Sequence, residues 1–234
     1  MLYWMSVKAA GGHWNSMMNK SIQRFETPFA VAQAVAELVE HDARHCIAQR
    51  GIFHWVLAGG TTPKQCYELL RDADIEWSKV HVWFGDERCL PVGDDERNDV
   101  MADEALLEHV PIPQDQIHRI DAELGAEQGA LLYAESLTDI ERLDLVLLGM
   151  GEDGHTASLF PNNPALSNQA LAVPVFDSPK PPSDRVSMGY TALMLAHRRI
   201  IMVTGEGKRD AFDKVCAGEP LPVNMDDSEW YVSL

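Results

Sequence analysis

The sequence predicts an α/β fold with a mostly parallel β-sheet that is flanked by helices on both faces. Three apolar runs, at residues 52–58, 80–84 and 144–148, are typical of strands that are buried on both faces. Segments with helical spacing of apolar residues separate them, as in successive βα units. Ligands bind outside the carboxyl ends of the strands in open α/β sheets. The loops that follow the three runs are therefore the candidate site.

The composition limits the partners that the chain can have. Its 234 residues include 36 acidic and 19 basic side chains, for a formal net charge of -17. This balance argues against nucleic acid and anionic membranes as partners, and no apolar run reaches the ~20 residues of a membrane span. Four cysteines without a C-x-x-C pattern predict free thiols and a reducing compartment. We assign residues 21–234 to a single domain and residues 1–20 to an irregular leader without a targeting pattern.

The first predicted helix begins with Thr27 as its N-cap and Pro28 at its first position, and it runs to about Gln49. His41 and His45 lie four residues apart on it, in H-D-A-R-H. This spacing is similar to the H-E-x-x-H zinc pattern, but no third ligand is evident. Two surface histidines are the favoured interpretation, and we expect no metal site.

The strand at 52–58 leads into Gly59, Gly60, Thr61, Thr62 and Pro63, and a helix is expected over 64–70. Glycines, hydroxyls at the N-cap and a proline at the first helical position form an anion site, in which backbone N–H groups and both hydroxyls could hold a phosphate. The alternative is an ordinary capped turn. The pattern is not a Walker loop.

The strand at 80–84 ends in charged residues, Asp86 and Arg88 among them, where either a site or a solvated loop is expected. Asn98 is a candidate cap for a helix to about residue 109, and a further helix is predicted over 125–140. The remaining predicted elements are strands at 117–120, 171–176, 185–190, 199–204 and 230–234, a helical turn at 191–196, and a helix that ends near residue 216.

The strand at 144–148 ends in three glycines with the spacing G-x-G-x-x-G, at Gly149, Gly151 and Gly154. A dinucleotide fingerprint is disfavoured because Glu152 and Asp153 would repel a pyrophosphate. An incidental histidine in a glycine turn is the plain alternative. We predict a general acid/base site in which His155 lies near the start of the next helix, whose macrodipole disfavours the imidazolium.

Taken together and in this order, these loops resemble the 6-phosphogluconolactonase family. The matching pieces are L-A-G-G-T-T-P at 57–63, F-G-D-E-R at 84–88, R-N-x-x-M at 97–101, G-M-G-E-D-G-H-T-A-S-L-F-P at 149–161, and the later Arg185 and G-x-G-K at 205–208. The resemblance covers about residue 22 to the end. It implies a modified Rossmann-type fold shared with aminosugar-phosphate deaminases. It also implies a cytoplasmic enzyme of the oxidative pentose phosphate pathway that opens 6-phosphoglucono-δ-lactone without a cofactor.

The resemblance also suggests roles for individual residues. His155 is the expected general base and acid, oriented by Asp153 or Glu152. Arg88 is expected to bind the carbonyl oxygen, and Asp86 to position sugar hydroxyls or Arg88. The expected substrate-binding set is Gly59, Gly60, Thr61, Thr62, Gly151, Glu152, Arg185 and Lys208. The partner is a small phosphorylated sugar lactone, and a monomer is expected, with a dimer left open.

Two rival functions remain. Aminosugar-phosphate deaminases or isomerases typically continue Gly-x-Asp-Gly-His with Asn-Glu-Pro, whereas this chain has Ser158 to Pro161 there. A non-catalytic sugar-phosphate sensor on the same fold is disfavoured by Asp86, Arg88 and His155. A covalent acyl-enzyme is not favoured, since the elbow G-x-S-x-G is absent.

We expect the leader to be dispensable, because its composition shows neither periodicity nor a targeting pattern. A chain that begins at Met18 should keep the melting temperature and the hydrolysis rate of the full chain. Thermal unfolding and an activity assay check this, and a large drop in melting temperature would mean that the leader packs on the core.

Overall fold

The computed structural model describes residues 21–234, and the predictions for the leader lie outside them. The ten strands of this part are β1 (Ser21–Arg24), β2 (Phe53–Leu57), β3 (Val80–Phe84), β4 (Asp86–Arg88), β5 (Ile117–His118), β6 (Leu145–Gly149), β7 (Ala172–Val175), β8 (Arg185–Met188), β9 (Arg198–Thr204) and β10 (Ser228–Ser233). Its six α-helices are α1 (Pro28–Arg50), α2 (Thr61–Leu69), α3 (Asn98–Ala102), α4 (Ala126–Thr138), α5 (Tyr190–Met194) and α6 (Arg209–Cys216).

The predicted α/β class is confirmed. Seven strands form one parallel sheet in the order β1-β10-β9-β6-β2-β3-β5. Helix α1 packs against β2, β9 and β10, and it also contacts α2. The apolar runs predicted as strands supply the centre of this sheet, where Val146, Leu147 and Ile200 are fully buried.

The chain order reverses between β2 and β6, in the middle of the sheet. From β2 the sheet grows through β3 to β5 on one side, and from β6 through β9 to β10 on the other. The loops after β2 and β6 therefore diverge and leave a crevice between them. This is the position at which open α/β sheets bind ligands.

The strands β4, β8 and β7 form a second, antiparallel sheet. We predicted one mostly parallel sheet from the sequence and did not predict this second sheet. Arg185 is the first residue of β8 and pairs with Arg88 of β4. The small sheet begins where β3 ends, since the N–H of Met188 donates to the carbonyl oxygen of Gly85 at 2.8 Å.

Most of the predicted elements are confirmed within a few residues. Helix α1 begins as expected, with the Thr27 hydroxyl accepting from the N–H of Ala30 at 3.1 Å and Pro28 at its first position. It ends at Gly51, whose φ of 77° is left-handed. Strand β1 is an element that the sequence analysis did not predict.

Two local predictions were wrong. Helix α2 begins at Thr61 with Gly60 as its N-cap, so Pro63 is its third residue and neither hydroxyl caps it. No helix follows His155 directly: residues 151–163 form turns, and the next helical segment is a short 3₁₀ turn at Pro164–Ser167. Gly154 has a left-handed φ of 82°, and Thr156 forms an isolated β-bridge with Leu159. These two features fold the segment into turns, so no helix forms there.

A buried carboxylate ties helix α1 to the centre of the sheet. Asp144, which precedes β6, is 2% exposed and pairs with Arg50 in the last turn of α1. Its second oxygen accepts from the N–H of His54 at 2.9 Å. Removal of one partner from such a buried pair typically costs 3–5 kcal/mol, because the other charge stays buried.

Three histidines lie side by side on β2, β3 and β5. Nδ1 of His54 accepts from the indole N–H of Trp83 at 3.1 Å, and Nδ1 of His81 lies 3.0 Å from Nε2 of His118. The ring of His118 stacks on Trp83 with a centroid distance of 3.8 Å. Burial, with a further contribution from the nearby His81, lowers the pKa of His54 and of His118 to about 4.

This cluster predicts a loss of stability in mild acid. The unfolded chain protonates these rings near pH 6.5, whereas the folded chain resists protonation down to about pH 4. The free energy of unfolding therefore has its full value above pH 6.5 and decreases as the pH falls toward 4. Urea unfolding between pH 7 and 4.5 measures it, and His118→Phe, which keeps the stacking on Trp83, should flatten the pH dependence.

The matched control is His41→Phe, since His41 is exposed on α1. An equal flattening in this control, or an unchanged slope in His118→Phe, would contradict the assignment of the acid sensitivity to the buried cluster.

Candidate active site

A cavity of about 360 Å³ opens at the carboxyl ends of β2, β3 and β6, in the crevice between their loops. Its lining combines glycine backbone with charged side chains: residues 58–60, 85, 86, 88, 98, 147–152, 155–157, 180, 181, 185 and 208. Of the predicted site residues, it brings together Gly59, Gly60, Asp86, Arg88, Gly151, Glu152, His155, Arg185 and Lys208.

Three predicted residues do not line this cavity. Asp153 lies behind the ring of His155 and contacts it. Thr61 lines a neighbouring depression that shares Gly60 and Arg88 with the cavity. Thr62 is 7% exposed, and its hydroxyl lies 2.7 Å from that of Thr204, so it ties α2 to β9.

The glycine turn after β6 brings His155 back over the end of that strand. The N–H of Gly151 donates to the carbonyl oxygen of His155 at 2.9 Å, and the N–H of Gly154 donates to that of Gly151 at 3.0 Å. A Cβ on Gly151 would lie 2.1 Å from two ring atoms of His155, and Gly154 has a left-handed φ of +82°. Glycine is therefore required at both positions for this placement of the ring.

A helix macrodipole does not act on His155, contrary to our prediction, because the chain continues as a turn. Thr156 donates its hydroxyl to the carbonyl oxygen of Gly149 at 2.8 Å, and it forms an isolated bridge with Leu159. The immediate environment of the ring is instead Phe160, at a centroid distance of 4.4 Å, and Asp153.

The imidazole of His155 is oriented by Asp153. Nδ1 lies 2.5 Å from Oδ1 of Asp153, and the N–H of His155 donates to the same oxygen at 3.1 Å. Burial alone would raise the pKa of Asp153, but these bonds from His155 lower it to about 2. An ionised carboxylate only accepts, so Nδ1 carries the hydrogen and Nε2 keeps a lone pair.

Glu152, the other candidate for orienting the ring, lies near residues 207 and 208 instead. Its Oε1 would be 3.1 Å from a Cβ placed on Gly207. It also attracts Lys208, whose pKa is lowered by burial and by the neighbouring Lys180, with Glu152 opposing both effects. Two ammonium groups and one carboxylate thus meet at this end of the cavity.

Asp86 and Arg88 line the cavity as well. Asp86 is 7% exposed, and both of its carboxylate oxygens accept hydrogen bonds, from Asn98 at 3.1 Å and from Ser158 at 2.5 Å. Arg88 donates from Nη1 to the carbonyl oxygen of Glu96. Its Nε is buried and has no hydrogen-bond partner within residues 21–234.

Arg185 serves chiefly as a scaffold. Its guanidinium donates to the carbonyl oxygens of Lys180, Pro181 and Pro182 at 3.0–3.2 Å, and Nη1 lies 3.5 Å from the hydroxyl of Ser158. These bonds use four of the five N–H groups of the arginine and leave one on Nη1. Burial lowers the pKa of Arg185, while the nearby Asp86 opposes that effect.

Asn98, Ser158 and Lys180 are the site residues that sequence reasoning missed. Asn98 occupies the space that a Cβ on Gly59 would need, since its Oδ1 would lie 2.2 Å away. Both Asn98 and Ser158 stand in quoted motifs, R-N-x-x-M and the long glycine–histidine motif, and this signal could have found them. Lys180 has no local signal, because it stands alone in a proline-rich loop.

The neighbouring motif residues Glu87 and Arg97 hold the site in place. The buried carboxylate of Glu87 accepts from the N–H groups of Asn98 and Asp99, both at 2.8 Å, and so fixes the start of α3. Burial raises the pKa of Glu87, whereas these hydrogen bonds act to lower it. Arg97 is 2% exposed and forms a bidentate pair with Asp99 at 2.9 Å.

Two further predictions concern metals and membranes. His41 and His45 stack on the exposed side of α1, and within residues 21–234 no group of three or more histidine, cysteine or acidic side chains is placed to hold a metal ion. No helix in that range is both long and apolar enough to cross a bilayer.

Comparisons with known proteins show the family of this chain. Residues 26–229 match the family of glucosamine-6-phosphate isomerases/6-phosphogluconolactonase. A 6-phosphogluconolactonase of Mycobacterium tuberculosis is 36% identical over 222 residues, covering 88% of this chain and 90% of that protein. A probable chloroplastic 6-phosphogluconolactonase of Oryza sativa subsp. japonica is 34% identical over 224 residues, covering 86% and 68%.

Solved structures agree as well. The crystal structure of 6-phosphogluconolactonase from Thermotoga maritima superimposes with a TM-score of 0.84 at 27% identity, covering 92% of this chain and all (100%) of that one. A monomeric glucosamine-6-phosphate deaminase has a TM-score of 0.74 at 16% identity over 90% and 96% of the two chains, which shows a shared fold. The chain therefore belongs to the family of glucosamine-6-phosphate isomerases and 6-phosphogluconolactonases.

Proposed function

We propose that this chain hydrolyses 6-phospho-D-glucono-1,5-lactone to 6-phospho-D-gluconate. The observation that carries the proposal is the His155–Asp153 pair, whose imidazole lines a cavity that also holds two arginines and two lysines. The names of the relatives support the same reaction, since the Mycobacterium tuberculosis and Thermotoga maritima proteins are both 6-phosphogluconolactonases. The reaction is a step of the oxidative pentose phosphate pathway.

Nε2 of His155 acts first as a base and then as an acid. It takes a proton from a water molecule as the oxygen attacks the lactone carbonyl carbon, and Asp153 stabilises the resulting imidazolium. The tetrahedral intermediate then collapses, the bond to the ring oxygen breaks, and the imidazolium returns the proton to that oxygen. No covalent enzyme intermediate is needed.

Arg88 is the proposed donor to the carbonyl oxygen. Its Nε is buried and unpaired within the described residues, so the enzyme already bears the cost of an unsatisfied donor before the substrate arrives. The guanidinium of Arg88 lines the cavity, so its N–H groups can donate to the oxyanion as negative charge develops. One such donor typically lowers the barrier by ~3 kcal/mol.

Lys208 and Lys180 are the proposed phosphate ligands, together with the backbone of Gly59 and Gly60. Both lysines line the cavity, and burial lowers the pKa of Lys208, with a further lowering by the neighbouring Lys180 that a bound phosphate would offset. Thr62 is withdrawn from this set because its hydroxyl is engaged by Thr204. Arg185 contributes mainly by holding the loop that carries Lys180.

The rival deaminase or isomerase reaction lacks its acidic partner. At the position where those enzymes carry Asn-Glu-Pro, this chain has Leu159 and Phe160, and the Phe160 ring packs at 4.4 Å from the imidazole of His155. An apolar ring there cannot move a proton. A sugar-phosphate sensor would bind but not turn over the lactone, so measured turnover separates it from the enzyme.

The compartment and the oligomeric state remain part of the proposal. A cytoplasmic location is supported by free thiols at Cys46, Cys66, Cys89 and Cys216. Names of relatives include chloroplastic and endoplasmic forms, so fractionation of cells is the test. A monomer is the proposed state, and light scattering in solution is the test.

His155→Ala should abolish most of the hydrolysis while 6-phosphogluconate still binds, because the variant loses the base but keeps the cationic side chains of the cavity. The assay follows freshly generated lactone, corrected for its spontaneous opening, and calorimetry measures product binding. His45→Ala, an exposed position on α1, is the matched control. A wild-type kcat in His155→Ala would rule out water activation by this ring.

Lys208→Ala should lower kcat/KM for the phosphorylated lactone by roughly ten- to a hundredfold, about 1.4–2.7 kcal/mol, since phosphate binding also positions the lactone. Unphosphorylated gluconolactone should be affected much less. The control is Lys214→Ala, which removes an exposed charge from the adjacent α6. Equal losses on both substrates would mean that Lys208 acts on the carbonyl or on the fold.

A further inference from the structure

The carboxylate of Asp86 is held from two sides by residues that come from different loops. Oδ2 accepts from the hydroxyl of Ser158 at 2.5 Å, and Oδ1 accepts from the side-chain amide of Asn98 at 3.1 Å. Ser158 is fully buried, at 0% exposure, and Asp86 is 7% exposed. The plane of the carboxylate is therefore determined by its protein partners before any substrate enters.

Ser158 joins the turn that carries His155 to the small antiparallel sheet. It lies three residues after His155 in the same turn, and its hydroxyl reaches Asp86 on β4 of the small sheet. Nη1 of Arg185, on β8, lies 3.5 Å from the same hydroxyl oxygen. A displacement of the His155 turn from the small sheet would break both contacts.

Ser158 does not have the surroundings of a nucleophile. Its hydroxyl hydrogen is donated to Asp86, and no hydrogen bond joins it to the imidazole in the described structure. It is also absent from the cavity lining, so a lactone carbonyl cannot reach it. Its contacts suit a role that acts through Asp86 and Arg185.

We infer that Ser158 is a positioning residue for the proposed lactonase reaction: its hydroxyl sets the separation between His155 and the Asp86–Arg185 side of the cavity. The inference rests on the proposed function. Asp86 accepts hydroxyls of the sugar ring, and the ring then presents its carbonyl carbon to the water held by His155. A misplacement of about 1 Å in such an arrangement can cost on the order of a hundredfold in rate.

Replacement of Ser158 should lower turnover more than binding. We expect Ser158→Ala to lower kcat at least about tenfold with less than about a threefold rise in KM, because the ligand still binds but in several poses. The matched control is Ser228→Ala. Ser228 is also a buried serine, with 3% exposure, but it lies on β10 and does not line the cavity.

A double-mutant cycle separates positioning from a general loss of packing. In an Asp86→Ala background no carboxylate remains to be held, so adding Ser158→Ala should lower kcat/KM less than about twofold further. A full tenfold loss in that background, an equal loss in Ser228→Ala, or a wild-type kcat in Ser158→Ala would each overturn the inference.

A second variant and a wild-type measurement complete the experiment. If Ser158→Ala does not fold, Ser158→Cys replaces it, because a thiol is similar in shape but a much weaker donor. The wild-type rate is measured first. Absence of lactone hydrolysis by the wild type contradicts the proposed function itself, whereas normal wild-type hydrolysis with an unaffected Ser158 variant contradicts only the positioning role.

Discussion

The hydrogen bond between His155 and Asp153 depends on the absence of a side chain at Gly151. A Cβ there would lie 2.1 Å from the imidazole and 2.8 Å from the carboxylate. No residue other than glycine at position 151 is therefore compatible with this hydrogen bond. Backbone freedom at Gly151 and Gly154 thus determines where the ring lies, and Asp153 determines its tautomer. The remaining features of the site are arranged around the Nε2 atom that this turn exposes.

The cavity concentrates positive charge in a protein with a formal net charge of -17. Away from the cavity, buried acids are neutralised by arginines, as in the pairs Asp144–Arg50 and Asp99–Arg97. In the cavity, by contrast, Lys208 and the Nε group of Arg88 lack such tight partners among the described residues. Salt screens distant surface charge within about 8–10 Å, so these local groups outweigh the acidic surface for a bound anion.

The two sheets have different tasks. The parallel sheet provides the crevice between β2 and β6, and its loops carry the glycines and His155. The small antiparallel sheet begins at Gly85 and brings Arg88 and Arg185 side by side across the same crevice. Ser158 and Glu87 join the parts, because each bonds to groups on a neighbouring segment. The relative placement of base and oxyanion donor therefore depends on buried polar contacts between the layers.

Local pattern determined the strands, helix α1 and the glycine turn with His155, because apolar periodicity, caps and glycine spacing act within a few residues of the chain. It failed for the helix expected after His155, where the chain forms turns, and it did not predict the second sheet, to which the strand of Arg185 belongs. Only the tertiary structure decided that Asp153 rather than Glu152 faces the ring, that Thr62 is engaged elsewhere, and that Ser158 holds Asp86. The last contact joins residues 72 positions apart, and packing of whole layers, which leaves no local trace in the sequence, brings such residues together.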